Sequence, residues 1–226
     1  MPLHTADALV LRTYKLGEAD RIVVFLTRDR GKKRGVAKGA RRQRSRFAGA
    51  LEPLTEIRVA YFESERRELV GLNYAETVRS PLSLTASGDS GAAELTAQYL
   101  LVEYIAELLD ECAQDSDADD RLYRLGASML DALTAGAPAE PLARYFEYWL
   151  LRLQGVYPEL RGTLSSGALA FLTAARTVPP HDVGTVQADA RALRELEGVH
   201  RALIATHLEK SLKSDRVLRE MRRMDA

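Results

Sequence analysis

A single cysteine, Cys112, in 226 residues excludes an internal disulfide and any zinc centre built from cysteine pairs. It falls at the end of a helical apolar pattern, where a buried thiol is the ordinary role and a reducing compartment fits. No apolar run approaches the roughly 18 residues needed to span a membrane. The opening MPLHTADALVLRTYKLGEAD also lacks the basic-then-apolar order of a signal peptide, so a cytoplasmic protein is expected. Histidine is scarce, and His4, His181, His200 and His207 are scattered without the Glu spacing of a metalloprotease helix. No Gly-Lys-Ser or Gly-Lys-Thr closes the glycine series Gly31, Gly35 and Gly39, so nucleotide hydrolysis has no support. Acid pairs such as Asp119-Asp120 sit in a charge-rich loop and form no nuclease-like cluster. No catalytic residue emerges, and no enzymatic turnover is expected.

Net charge is missing as well, because 32 basic residues balance 32 acidic ones. The balance conceals a strong segregation. From Arg28 to Arg46, ten of nineteen residues are Lys or Arg against the one acid Asp29, whereas Glu94 to Asp120 holds nine acids and no cation. A cation run of this density repels itself, but a polyanion crossing it releases condensed counterions, the main favourable term in non-specific nucleic-acid binding. The candidate nucleic-acid contacts are Arg28, Arg30, Lys32, Lys33, Arg34, Lys38, Arg41, Arg42, Arg44 and Arg46, with Phe47 or Tyr14 as candidate base-stacking partners. The glycines suggest a strand and loop whose backbone can approach a ligand closely. The acidic stretch predicts a dipolar molecule whose acidic face is left for other proteins.

Residues 6 to 79 alternate in period two or carry short β-branched and aromatic runs: ALVLRTY, RIVVFLT, RGVAK, TEIRVAYF and ELVGLNY. Five strands are predicted, with a short helical insert over Ser45 to Leu51 between the third and fourth. That order is that of an OB-type barrel, a fold that commonly carries single-stranded nucleic acid. The expected fold class is α+β: an N-terminal OB-type five-stranded barrel over 1–80, a linker over 81–91 and a larger α-helical domain over 92–226. Leu95 to Leu109, Leu122 to Leu133 and Leu142 to Leu153 carry apolar stripes at helical spacing, ending at Gly136 and Gly155 in the second and third cases. A shorter helix over Ser165 to Arg176, a Pro-containing loop and helices over Ala188 to Leu212 and Asp215 to Arg223 complete the chain.

The runs ALVLRTYKLGEADRIVVFLTRDRGKKRGVAKGARR, SRFAGALEPL and HRALIATHLEKSLKSDRVL, in this order and spacing, resemble the RecO family of bacterial recombination mediators. The resemblance implies an OB domain joined to a helical domain and binding of single- and double-stranded DNA. It also implies annealing of complementary strands, help in loading recombinase on coated DNA, and a cytoplasmic, nucleoid-associated place. Its implied partners are RecR and the acidic tail of single-stranded-DNA-binding protein. A different reading of the same barrel is an adaptor that binds RNA or a protein partner.

Many relatives open a zinc site with a Pro-x-Leu-x-x-Cys-x-x-Cys-Gly element. Here Pro158, Leu160, Thr163, Ser166 and Gly167 hold those places and both cysteines are gone, so no metal or other cofactor is expected in 158–167. Ser165 or Ser166 is instead placed to cap the helix that follows. For the acidic tail, the basic C-terminal helices have the right sign. Arg201, Lys210, Lys213 and Arg216, together with Arg191, Arg194 and Arg219, alternate with Leu193, Leu196, Leu203, Leu208 and Leu212, which could line a groove.

Overall fold

A computed structural model describes residues 2–64, 67–84, 91–159, 163–210, 212 and 214. Five strands form first: β1 (Leu3–Leu16), β2 (Asp20–Thr27), β3 (Gly31–Ala37), β4 (Glu56–Phe62) and β5 (Val70–Arg79). They close into a barrel in the order β1-β2-β3-β5-β4, with every neighbouring pair antiparallel except β3 and β5. β1 pairs on both sides, with β2 and β4, which closes the barrel and leaves no free edge there. This is an OB-type barrel.

Alternation explains the interior. Ala6, Ala8 and Val10 of β1, Val23 and Phe25 of β2, and Ile57, Val59 and Tyr61 of β4 point inward and pack with Val70 and Leu72. Leu9, Leu11, Val24 and Leu26, on the opposite face, are buried too. That is why β1 and β2 read as continuous apolar runs rather than clean alternation.

The expected helix over Ser45 to Leu51 is not formed. Ser45, Ala48 and Ala50 donate to carbonyls only three residues back, giving successive turns. Phe47, Ala50 and Leu51 drop from these turns into the barrel core, so anchoring side chains, not helix propagation, shape the segment.

The helices are α1 (Gly91–Cys112), α2 (Asp120–Thr134), α3 (Ala139–Leu153), α4 (Ser166–Ala174) and α5 (Ala190–Leu208). Two compact units result, and they are not consecutive in sequence. One contains Met1–Ser83 and Ile105–Leu130; the other contains Leu84–Tyr104 and Asp131–Ala226. The end of α1 and most of α2 therefore belong with the barrel. Gly126 of α2 shows the fit, because a Cβ there would lie 2.7 Å from Leu9 Cδ1 and from Leu109 Cδ1.

In the second unit α3 is buried around most of its circumference, including Arg144 and Glu147. α5 starts at Ala190 under the Asp189 cap, which accepts from Ala192 N at 2.6 Å. It ends at Leu208, four residues short of the expected Leu212, because Glu209 takes a left-handed conformation (φ 53°). The expected helix over Asp215 to Arg223 and most of the expected linker lie outside the described residues.

Candidate nucleic-acid interface

The ten cations of the basic run divide into two groups. Arg28 Nε donates to Asp120 Oδ1 at 2.9 Å, and Arg30 Nε lies 3.6 Å from Asp29. Lys32 Nζ donates to the Asp110 carbonyl at 2.6 Å and lies 3.4 Å from the Asp110 carboxylate and 3.8 Å from that of Asp115. Lys33, only 9% exposed, donates to Glu63 at 2.7 Å and to Ser116 Oγ at 3.1 Å. That hydrogen bond, with the charge of Lys33, holds the Glu63 carboxyl below the ordinary range.

The latter part of the acidic segment is thus not a separate face. Its residues Asp110, Asp115 and Asp120 neutralise Lys32 and Arg28, and Arg12 of β1 joins them at 3.2 Å from Asp110. Backbone bonds make the docking specific: Lys32 N donates to Gln114 O, and Ser116 N to Lys32 O.

The second group stays in solvent. Arg34, Lys38, Arg41, Arg42, Arg44 and Arg46 are exposed and have no carboxylate partner among the described residues. Five of them follow β3 on the connection to β4. Arg41 pins that connection to the β1–β2 turn: its backbone N–H donates to Ala19 O, and Nη1 donates to Gly17 O (2.9 Å) and Glu18 O (2.8 Å). Gly39 N donates to Asp20 Oδ1 at 2.7 Å. The loop is therefore held in place while its positive charges remain uncompensated.

Two of them, Lys38 and Arg46, line a groove of about 660 Å³ together with Val36, Phe62, Arg67 and Leu69, among others. Phe62, 37% exposed, is its aromatic element. The stacking candidates fare differently. Tyr14 is exposed on β1, but Phe47 is buried in the barrel with the Arg46 guanidinium 5.0 Å from its ring centroid, and it presents no face to a base. Neither Phe62 nor Arg67 was singled out by sequence; the only signal was that Phe62 ends a strand of alternating residues.

The glycines also answer to packing. A Cβ on Gly31 (φ +68°) would sit 2.4 Å from the Asp117 backbone, and one on Gly35 would sit 2.1 Å from Leu72 Cδ1. Close approach is required there by neighbouring protein, not by a ligand.

At 158–167 the donor set does not fit zinc. Ser165 Oγ accepts from Ala168 N as the cap of α4 and donates to Glu195 Oε2 at 2.5 Å. Glu195 also accepts from Ser165 N at 3.0 Å, and these bonds hold its carboxyl below the ordinary range. Among the described residues no group of three or more His, Cys, Asp or Glu could hold a metal ion. Leu160 lies outside the described residues.

The expected apolar groove on the C-terminal helices is not open. Leu193, Leu196 and Leu212 are buried, Leu203 and Leu208 half-buried, and Arg201 pairs with Glu197 one turn back. Amphipathic spacing closes the core here. Lys210 is exposed, whereas Lys213, Arg216 and Arg219 lie outside the described residues.

Residues 1–81 match the family described as Recombination protein O N terminal, and residues 96–168 match Recombination protein O C terminal. The chain is 32% identical over 246 residues to the DNA repair protein RecO of Nocardioides sp. (strain ATCC BAA-499 / JS614), covering 94% of this chain and 97% of that one. The chain belongs to the RecO family. It is also 42% identical over 158 residues to DNA repair protein RecO of Koribacter versatilis (strain Ellin345), and 39% identical over 160 residues to that of Anaeromyxobacter sp. (strain K). Those matches cover 70% and 71% of this chain, and the chain spans about three fifths of each relative, 61% and 60%. No helix among the described residues is long and apolar enough to cross a membrane.

Proposed function

We propose that this protein is a DNA repair and recombination mediator. It binds single- and double-stranded DNA through the barrel, anneals complementary strands and assists recombinase loading on protein-coated single strands. One observation carries the reading: Arg34, Lys38, Arg41, Arg42, Arg44 and Arg46 are exposed without a carboxylate partner among the described residues, and two of them, Lys38 and Arg46, line a groove that contains Phe62. Exposed cations release counterions from a phosphate backbone, and an aromatic in a positive groove gives a base something to stack on. Family membership supports the same role, and supports RecR and the acidic tail of single-stranded-DNA-binding protein as partners. Of the cations proposed for the partner contact, Arg201 and Lys210 lie on or beside α5; Lys213 and Arg216 complete the set.

The test reverses Lys38, Arg42 and Arg44 to Glu, leaving Arg41 because it holds the β1–β2 turn. If about four to six cations meet phosphates, the log-log salt slope of single-strand binding is near −3 to −4. The triple variant is expected to bind more weakly and with a flatter slope, at an unchanged melting temperature. Unchanged binding and slope would reject the assignment. An annealing assay on complementary strands coated with the cognate single-stranded-DNA-binding protein separates this function from an adaptor that binds RNA or protein, which would show no annealing.

A further inference from the structure

The second unit holds a groove of about 560 Å³ between α3, the segment after it and α4, with Arg152, Tyr157, Glu159, Leu169, Thr173 and Arg176 among its walls. Two guanidiniums converge there on one oxygen. Arg152 Nη1 donates to Tyr148 Oη at 2.9 Å, and Arg176 Nε donates to the same oxygen at 2.8 Å. Tyr148 is 1% exposed and fixed by an edge contact with Tyr157 at 4.9 Å between ring centroids. Arg152 is held further by the faces of Tyr148 and Trp149, with its guanidinium carbon 5.6 and 5.8 Å from the two centroids.

A tyrosine hydroxyl is neutral, so it orients both cations without cancelling their charge. Neither arginine has a carboxylate partner among the described residues. Each guanidinium carries five N–H donors, and each donates one of them to Tyr148, leaving four on each for an incoming acceptor. Both guanidiniums are exposed, so their mutual repulsion is modest, and an anion bound between them would relieve it.

We infer that Arg152 and Arg176 form a phosphodiester-binding site, a second nucleic-acid contact in a different unit from the barrel. Charge chooses the ligand: among the described lining residues, two guanidiniums and the Glu159 carboxylate leave one net positive charge, matched by a singly charged phosphodiester. The fork geometry of arginine suits phosphate oxygens. Among the described lining aromatics, Tyr148 is buried and Tyr157 is packed edge-to-face with Tyr148 and His200, so the arginines carry the contact. The contact is therefore to the backbone and independent of sequence. Two sites on one chain let it hold two stretches of strand, which is what annealing requires. The inference rests on the reading of the protein as a nucleic-acid binder and extends it.

The full chain is titrated with a labelled single-stranded oligonucleotide across a salt series. Arg152→Ala with Arg176→Ala is expected to weaken binding at least about tenfold and to flatten the salt slope by about 0.7 to 1.4. Thr173→Glu, on the exposed wall, puts a carboxylate into the groove without touching Tyr148 or Trp149, and should weaken binding in the same direction even if the arginine pair also supports the fold. The Lys38, Arg42 and Arg44 reversal is run beside them. If it weakens binding while both groove variants bind as the parent does, the barrel reading stands and this inference falls. Saturable binding of inorganic phosphate or of an acidic peptide that the groove variants abolish, with oligonucleotide binding intact, would equally overturn it.

Discussion

Glu147 is a charged residue enclosed by protein, and its neighbours explain how it stays charged. Burial works against the carboxylate, but Arg144 Nη2 at 2.9 Å, His200 Nδ1 at 3.0 Å and the Tyr104 hydroxyl at 2.9 Å hold its pKa below the ordinary range. Arg144 is the least satisfied member, since its Nε and Nη1 have no hydrogen-bond partner among the described residues and Nη1 reaches Glu197 only at 3.9 Å. Because the folded pKa is depressed, this stabilisation is complete above the unfolded value of about 4.3 and is lost as the pH falls through the lower folded value. Glu147→Gln is expected to cost about 3 kcal/mol at neutral pH and to flatten the acid limb of stability measured by denaturant titration from pH 7 to pH 3. A parallel pair of curves would reject this account. In the sequence Arg144 and Glu147 look like ordinary surface charges three residues apart. Only the packing of α3 turns them inward.

Among the elements, α4 is tied into its unit by hydrogen bonding. Ser165 caps the helix and binds Glu195 of α5, joining two helices of one unit. Ser165→Ala should destabilise the protein by about 1 kcal/mol from the lost cap, read as a shift in the denaturation midpoint at unchanged slope. A Ser or Thr before an apolar run is a legible cap signal, and Ser165 or Ser166 was expected in that role. Its partner Glu195, thirty residues on, carried no local signal. β3 teaches the converse. Its cations were legible as a charge run, but the division of that run into buried ion pairs and free charges depends on where α1 ends and which carboxylates arrive.

For the whole molecule, the donor chemistry predicts a fold independent of metal. Protein purified without chelator should carry well under one zinc per chain, and chelator should leave its melting curve unmoved; stoichiometric zinc or a chelator-induced loss of stability would refute this. The sequence by itself determined the presence of five successive strands followed by helices, the buried stripe of α2, one apolar stripe of α3 and the concentration of positive charge. These depend on periodicity, turn residues and local composition, which act over a few residues. Tertiary structure alone decided that residues 105–130 group with the barrel, that Asp110, Asp115 and Asp120 neutralise Lys32 and Arg28, that Phe62 rather than Phe47 lines the groove, and that Arg152 and Arg176 meet on one hydroxyl. Each of those outcomes pairs residues distant in sequence or selects one face of an element. Pairing at that range is set by which surfaces pack and which charges can be satisfied together, information that no short window of the chain contains.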